Sequence, residues 1–200
     1  MTTSERLTRL RAALARSGGA SSDFDLNPEY VLPAGRVLRP AGVLVALQET
    51  QTGLRVVLTK RSSRLKHHPG QIAFPGGKQD DGDDGPTAAA LREASEEVGL
   101  ASARVEILGT LPSHETVTGF TVTPVLGLVR GDFTPVPEPG EVEEVFTVPF
   151  AHVTDPARFS VQSRFWRGQR RHYFAVPYGP YYIWGATARI LRGLAERMNA

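Results

Sequence analysis

Apolar residues recur along this chain at two spacings, one that suits helices and one that suits strands. In the first segment Leu7, Leu10 and Leu14 fall at i, i+3 and i+7, with Arg6, Arg9, Arg11 and Arg16 around them. That pattern predicts a basic amphipathic helix over Ser4–Arg16, closed by Ser17-Gly18-Gly19. Its leucine stripe either docks on the rest of the protein or serves a membrane-surface or targeting role. A flexible connector with Ser21, Ser22, Pro28 and Pro33 follows, so residues 1–36 are expected as an appendage and residues 37–200 as the main domain. Within the latter, Val43–Leu47 and Leu54–Thr59 are apolar runs parted by the polar Glu49–Gly53, as in a hairpin or two neighbouring strands. Gln71–Phe74 predicts a short strand stopped by Pro75-Gly76-Gly77. Pro86–Val98 predicts a helix, with Pro86 in its first turn and Gly99 as its C-terminal cap. Strands are expected at Arg104–Thr110, Phe120–Val129 and Val145–Val148, and a hairpin at Phe159–Trp166 and Arg171–Val176 around Gly168. Ile190, Leu191, Leu194 and Met198 mark a last helix over Ala186–Met198. Many strands, few helices and no regular βαβ alternation point to a mixed sheet covered by helices.

A length of 200 residues suits one compact domain, and 40% hydrophobic with 22% charged residues excludes a disordered chain. Cysteine is absent, which removes disulfides, thiolate metal sites and a cysteine nucleophile and makes a cytoplasmic setting the expectation. No apolar run approaches the ~20 residues of a membrane span, and the N-terminal residues lack the apolar core of a secretory signal. The net charge of +2 is too small to argue for nucleic acid, and neither a dedicated motif nor a strand combining basic and aromatic residues suggests one. The expected partner is a small molecule, with no nucleic acid and no membrane; a homo-oligomer is left open.

The charge is unevenly spread. Gly76–Leu100 holds Asp80, Asp81, Asp83, Asp84, Glu93, Glu96 and Glu97 against only Lys78 and Arg92. On the predicted helix Glu93, Glu96 and Glu97 stand at i, i+3 and i+4 and share one face, while Leu91, Ala94 and Val98 point elsewhere. Like charges at those spacings cost an isolated helix roughly 0.2–0.5 kcal/mol per pair. One reading is a solvated glutamate face with an ordinary Arg92–Glu96 ion pair. The Gly76-Gly77 turn upstream supports another, because backbone carbonyls can approach a ligand closely there. Hard divalent cations take carboxylate and carbonyl oxygens and share their shell with substrate phosphates.

Arg92-Glu93-Ala94-Ser95-Glu96-Glu97-Val98-Gly99-Leu100, with the glycine pair ahead of it, resembles the Nudix box, whose core is Arg-Glu-x-x-Glu-Glu-x-Gly-apolar. The family pattern has a glutamate six residues after the glycine and the arginine fourteen after. Here Asp83 stands at the first place and Arg92 fifteen after Gly77, so the loop is one residue longer. Asp80, Asp81, Asp83 and Asp84 are all candidates for the loop carboxylate. The resemblance implies an α/β/α sandwich with a mixed sheet, and Mg²⁺- or Mn²⁺-dependent hydrolysis of a nucleoside diphosphate linked to another group. It implies Glu93 and Glu97 as principal metal ligands, Glu96 as a further ligand or water-orienting group, the Gly77 carbonyl in the metal shell, and Arg92 as the brace. A catalytic base from outside the box is expected among Glu141, Glu143 and Glu144, with Glu144 taken as the catalytic candidate.

Leu54–Gln71 carries Arg55, Lys60, Arg61, Arg64 and Lys66 together with His67 and His68, and no acid. Such a run is an ordinary solvated loop unless a polyanion bridges it to the acidic helix, a role for which the arginine fork is well shaped. Adjacent histidines without cysteine make a poor zinc site. Leu58-Thr59-Lys60-Arg61-Ser62-Ser63, then Leu65, then His68-Pro69-Gly70-Gln71-Ile72-Ala73-Phe74-Pro75-Gly76-Gly77, is similar to the signature of the coenzyme A diphosphatase branch of Nudix hydrolases, which shares the longer loop. Ile183–Leu191 looks like the start of that branch's closing helix. The resemblance implies cleavage of coenzyme A or its thioesters at the diphosphate, to 3′,5′-ADP and 4′-phosphopantetheine or its acyl form. Arg61 and Arg64 are the expected phosphate contacts and His68 and Gln71 are expected to shape the site. Phe120 either stacks on adenine or packs in the core. The rival expectations are another Nudix substrate, such as ADP-ribose or a dinucleotide, and a Nudix-fold binding module without catalysis, against which the intact glutamates stand.

Overall fold

The computed structural model describes residues 2–30, 32, 35–166 and 168–200, and Pro33 of the expected connector lies outside them. In chain order the elements are α1 (Thr3–Ala15), β1 (Ser21–Ser22), β2 (Arg39–Thr50), β3 (Gly53–Arg61), β4 (Ile72–Ala73), β5 (Gly76–Lys78) and α2 (Gly85–Val98). They continue with β6 (Val105–Thr110), β7 (His114–Glu115), β8 (Phe120–Val129), β9 (Val142–Pro149), α3 (Phe150–Val153), β10 (Ser160–Trp166), β11 (Gln169–Ala175) and α4 (Ala186–Asn199). Strands β1 to β9 form one mixed sheet. Its centre is β2, which runs parallel to β8 from Arg39 through Gln48 and antiparallel to β3 from Leu47 through Thr50. β9 lies antiparallel along β3.

Strand alternation divides the core in two. Leu44 and Ala46 of β2, Val57 of β3 and Val125 of β8 bury against Ala90, Ala94 and Val98 of α2. Val45, Leu47, Val56 and Leu58 point the other way, into a larger core with Leu10 of α1, Phe150 of α3, and Leu191 and Leu194 of α4. Burial on both faces explains why β2 and β3 read as continuous apolar runs. The architecture is the expected α/β/α sandwich.

Helix α2 ends as its sequence predicts: Gly99 adopts φ 71° and its N–H donates to Ser95 O (3.1 Å). The region before it differs from expectation. The strand expected at Gln71–Phe74 is only Ile72–Ala73, and the glycine pair expected as a turn is itself strand. Gly77 pairs with Gly42 and Gly76 with Val43, antiparallel to β2. Gly42 is demanded by the helix above it, since a Cβ at this position would lie 1.9 Å from Pro86 O.

The N-terminal segment is part of the same body. Leu10 and Ala13 are buried, and Leu7 and Leu14 pack half-buried on the core, so the leucine stripe docks on the protein. Arg9 Nη2 donates to Met198 O (2.7 Å) and Arg197 Nη1 to Ala13 O (3.1 Å), tying α1 to α4. Where a flexible connector is expected, residues 21–27 are fastened. Ser21 and Ser22 pair with β7. Asp23 meets His114 Nε2 (3.1 Å) and accepts from Val117 N–H (2.9 Å), while Ser21 Oγ meets His114 Nδ1 (2.9 Å). The Asn27 carboxamide bonds both the N–H (2.8 Å) and the carbonyl (3.0 Å) of His172, which holds the β10–β11 hairpin against this segment. Among the described residues no helix is long and apolar enough to cross a membrane.

Gly42→Ala should destabilise the protein by about 3 kcal/mol, the upper end of ordinary overpacking costs, because the opposing atom is backbone and cannot rotate away. Gly82→Ala, where a Cβ meets nothing within 4 Å, should change stability by no more than about 0.5 kcal/mol. Chemical denaturation of both variants checks this; a Gly42→Ala protein as stable as its parent would mean that α2 is not seated this closely.

Candidate active site

Helix α2 and strand β5 bring the acidic and glycine motifs face to face. Glu97, only 4% exposed, accepts a hydrogen bond from Gly76 N–H on Oε2 (3.0 Å). Burial pushes its carboxyl up to about 7; the Gly76 bond opposes the rise and the Glu93 charge adds to it. Glu93, one turn earlier, packs on Gly77, where a Cβ would come within 2.5 Å of Oε1. Burial raises its carboxyl as well. Glu96 points outward, with 59% of its side chain exposed. Arg92 braces the whole arrangement. Its Nη1 donates to Glu93 Oε1 and Glu96 Oε2 (both 3.0 Å), its Nη2 to Lys78 O (3.1 Å), and its Nε and Nη2 grip Asp83 (3.0 Å each). Asp83 is thus the loop aspartate that Arg92 grips on two nitrogens, and these bonds hold it below the usual carboxylate range. Asp80 N–H also donates to Asp83 (2.8 Å), closing the loop.

The loop entering β9 hangs on the C-terminal end of α2. Val136 and Glu138 N–H groups donate to the Val98 and Glu97 carbonyls (3.0 and 2.9 Å), and Ser62 N–H donates to Glu141 O (2.8 Å). The Glu141 charge bears on both Glu93 and Glu97. Glu143 is engaged elsewhere, accepting from Lys60 Nζ (2.6 Å) and Ser63 N–H (3.1 Å). Glu144, the expected catalytic candidate, accepts the Tyr181 hydroxyl. Strand alternation places Glu144 on the face of Phe146, which stacks on Tyr181, and away from the face of Val145, which packs toward α2. Glu141, and not Glu144, is the glutamate brought to the helical carboxylates.

Beside Gly76-Gly77-Lys78 opens a cavity of about 310 Å³ with Arg61, His68 and Gln71 on its wall. Arg61 ends β3, where its carbonyl accepts from Gly70 N–H (3.1 Å) and its N–H donates to Gln71 O (2.9 Å). Its charge reaches Glu97. His68 sits in the left-handed region at φ 55°. Burial, then the charges of Arg61, His67 and Arg164, push its imidazole down. Arg64, the second expected phosphate contact, is exposed on the loop and does not line the cavity. Phe120 does line it, with the Arg39 guanidinium 4.1 Å from its ring centroid. So do Arg164 and Trp184, stacked at 4.3 Å, to which the sequence reading gives no role. Their signal is the density of arginines and aromatics over Arg164–Trp166 and Arg170–Phe174. Contrary to expectation, that hairpin does combine basic and aromatic residues.

The donors gathered at α2 and β5 are all oxygens, which is the chemistry of a hard divalent ion. Glu97 supplies the fit, since a carboxylate this desolvated, with one backbone hydrogen bond on Oε2, is stabilised by a cation. Among the described residues no three Asp, Glu or His side chains are gathered so as to hold an ion alone. Glu93 and Glu97 would therefore share Mg²⁺ or Mn²⁺ with the Gly77 carbonyl and with oxygens of a bound substrate.

Glu97 also sets a pH dependence in the metal-free protein. Its folded-state pKa of about 7 lies above the unfolded value of 4.5, so between these the folded state holds a proton that the unfolded state has lost. Stability at this site is greatest below the unfolded pKa and falls as pH rises through the window, by up to roughly 1.4 kcal/mol per pH unit. Glu97→Gln should flatten that slope. Denaturation of chelator-treated parent and variant across the window measures the difference; parallel curves would mean that Glu97 is not desolvated.

The protein-family model described as NUDIX domain matches residues 38–167. The uncharacterized Nudix hydrolase NudL of Escherichia coli O7:K1 is 42% identical over 162 residues, which is 80% of this chain and 83% of that one. NudL of Escherichia coli O139:H28 is 39% identical over 186 residues, 87% of this chain and 96% of that one. The crystal structure of a Nudix hydrolase from M. smegmatis, RenU, shares the fold at TM-score 0.50 and 24% identity over 60% of this chain and 83% of its own. A MutT/nudix family protein from Enterococcus faecalis does so at TM-score 0.51 and 16% identity, over 86% of this chain and 66% of its own. With the family pattern running through most of the sheet and through α2, and with relatives this similar over most of their length, the chain belongs to the Nudix hydrolase family.

Proposed function

We propose that this Nudix hydrolase cleaves the diphosphate of coenzyme A or its thioesters, releasing 3′,5′-ADP and 4′-phosphopantetheine or its acyl form. The observation that carries the reading is where the basic segment lies. Arg61, His68 and Gln71 share a cavity with Gly76-Gly77-Lys78, and Glu93 and Glu97 are seated on that glycine backbone. The residues that resemble the coenzyme A diphosphatase signature thus meet the residues of the Nudix box across one space.

Water attacks a phosphorus of the diphosphate, the bond from that phosphorus to the bridging oxygen breaks, and the water's proton passes to a carboxylate; the nearness of the Glu141 charge to Glu93 and Glu97 supports Glu141 in that role. Arg61 presents its fork to the phosphate oxygens. Arg92, by gripping Glu93, Glu96, Asp83 and the Lys78 carbonyl together, keeps carboxylates of like charge in a fixed array. Glu93 and Glu97 would hold a divalent ion, which would supply positive charge against the diphosphate oxygens.

Incubation with coenzyme A and Mg²⁺, followed by mass analysis, should yield 3′,5′-ADP, and chelation should abolish it. Cleavage of ADP-ribose or a dinucleotide with coenzyme A left intact would replace the substrate while keeping the family. Arg61→Ala should lower kcat/KM by about tenfold or more, the loss of a charge-assisted contact, while stability moves by no more than about 0.5 kcal/mol. Unchanged kinetics would make this stretch an ordinary solvated loop.

A further inference from the structure

A second, larger cavity of about 700 Å³ continues from the first, sharing His68, Phe120, Arg164 and Trp184 with it but not the Gly76–Lys78 strand. Its added wall is the β10–β11 hairpin, through Trp166, Arg171 and Tyr173, with Arg39 opposite. Two properties set it apart. The first is unmatched charge. Arg36, Arg92 and Arg189 each pair with a carboxylate, whereas among the described residues Arg39, Arg164 and Arg171 have none within ion-pair distance. The one acid on this wall, Asp23, is committed to His114 and to Val117 N–H. The second is flat apolar surface beside that charge. Trp184 lies 5.0 Å from Tyr173 between ring centroids and carries Arg164 on its face, while Phe120 carries Arg39. Arg171 is wedged among Phe24, Tyr30 and Trp166 at 4.9–5.2 Å from their centroids, which holds the hairpin on the N-terminal segment.

We infer that this outer groove binds the nucleoside end of the substrate and selects one that carries a phosphomonoester in addition to the diphosphate. The inference rests on the coenzyme A reading and extends it, because on that reading a diphosphate in the inner cavity would be met by Arg61 and by the divalent ion that Glu93 and Glu97 would hold. Arg39 and Arg164, which have no carboxylate partner among the described residues, would meet no anion in a substrate whose distal end is uncharged. Arginine forks suit a terminal phosphate dianion, and the aromatic faces suit a purine ring. Arg164 lines both cavities, so it stands at the junction between the diphosphate and the base.

The test compares coenzyme A with 3′-dephospho-coenzyme A in the parent protein, Arg164→Gln and Arg164→Lys. The parent should prefer coenzyme A in kcat/KM by about tenfold or more, the size of a charge-assisted hydrogen bond. Arg164→Gln should lose most of that ratio and Arg164→Lys should restore part of it. A parent that does not discriminate, or a variant that slows both substrates equally, overturns the inference and leaves the coenzyme A reading standing. If neither compound is cleaved, that reading fails, and calorimetry with 3′,5′-ADP and 5′-AMP decides the groove separately. Tighter binding of 3′,5′-ADP that depends on Arg164 upholds the groove, and equal binding of the two nucleotides overturns it.

Discussion

Helix α2 can bury Glu97 only because the strands beneath it lack side chains where it lands. Gly42 admits the Pro86 carbonyl, Gly77 admits the Glu93 carboxylate, and Gly76 turns its N–H to Glu97. Gly42 and Gly77 are register partners on neighbouring strands, so the gap is one continuous patch of bare backbone. The helix answers it with Ala89, Ala90 and Ala94, which are buried and small enough to follow. Two glutamates are thereby pressed against carbonyls and amides in a half-dry setting. In the absence of a cation this is unfavourable, as the upward displacement of both carboxyls records. The fold tolerates the strain because Arg92 and Asp83 anchor the helix face to the loop, and the Ala-rich face packs on the core.

Two neighbouring basic residues at the end of β3 are used differently. Arg61 lines the inner cavity with Gly76–Lys78, near enough for its charge to act on Glu97, without an ion pair of its own among the described residues. Lys60, its neighbour, is neutralised by Glu143 on the paired strand. Adjacent residues of a strand point to opposite faces, so Arg61 joins the face of Val57, which packs toward α2, and Lys60 joins the other. The register shift at this point leaves Glu143 as the extra residue of β9, and it is Glu143 that Lys60 meets.

How much of this is legible in the sequence depends on how local its cause is. The range of α2, its glycine cap and the Glu93–Glu97 face follow from a 3.6-residue period and a single turn of chain, and Phe120–Val129 matches its strand end to end. Gly76–Lys78 does not read as a strand because glycine has no β propensity; it becomes one by pairing with β2. Glu141 and Glu144 are chemically alike and three residues apart; what separates them is that Glu141 lies in the loop hung on α2 while Glu144 lies on the face of β9 that carries Phe146, a tertiary fact. β1 is two serines, with no apolar pattern to announce that they join the sheet. The groove on the hairpin is hardest to read, since its parts come from residues near 23, 39, 118, 164 and 184.

That scatter has a consequence for how the protein divides its labour. The family-matched stretch, residues 38–167, contains the glycine strand, the acidic helix and the basic segment. Trp184, Tyr173 and Arg171 lie beyond its end, and Asp23 and Asn27 lie before its start. These flanks are not loosely attached: Asn27 clamps the β11 backbone at His172, and Asp23 reaches His114 and Val117 at the rim of the cavities. The proposed metal site is built on α2 and β5, where Gly76 and Gly77 seat Glu97 and Glu93. The proposed recognition of a substrate's far end needs reach, and a hairpin braced by the N-terminal segment would supply it. If the outer groove takes the nucleoside end as proposed, variation in the flanks would alter which end is accepted without disturbing the seating of α2 on β2 and β5.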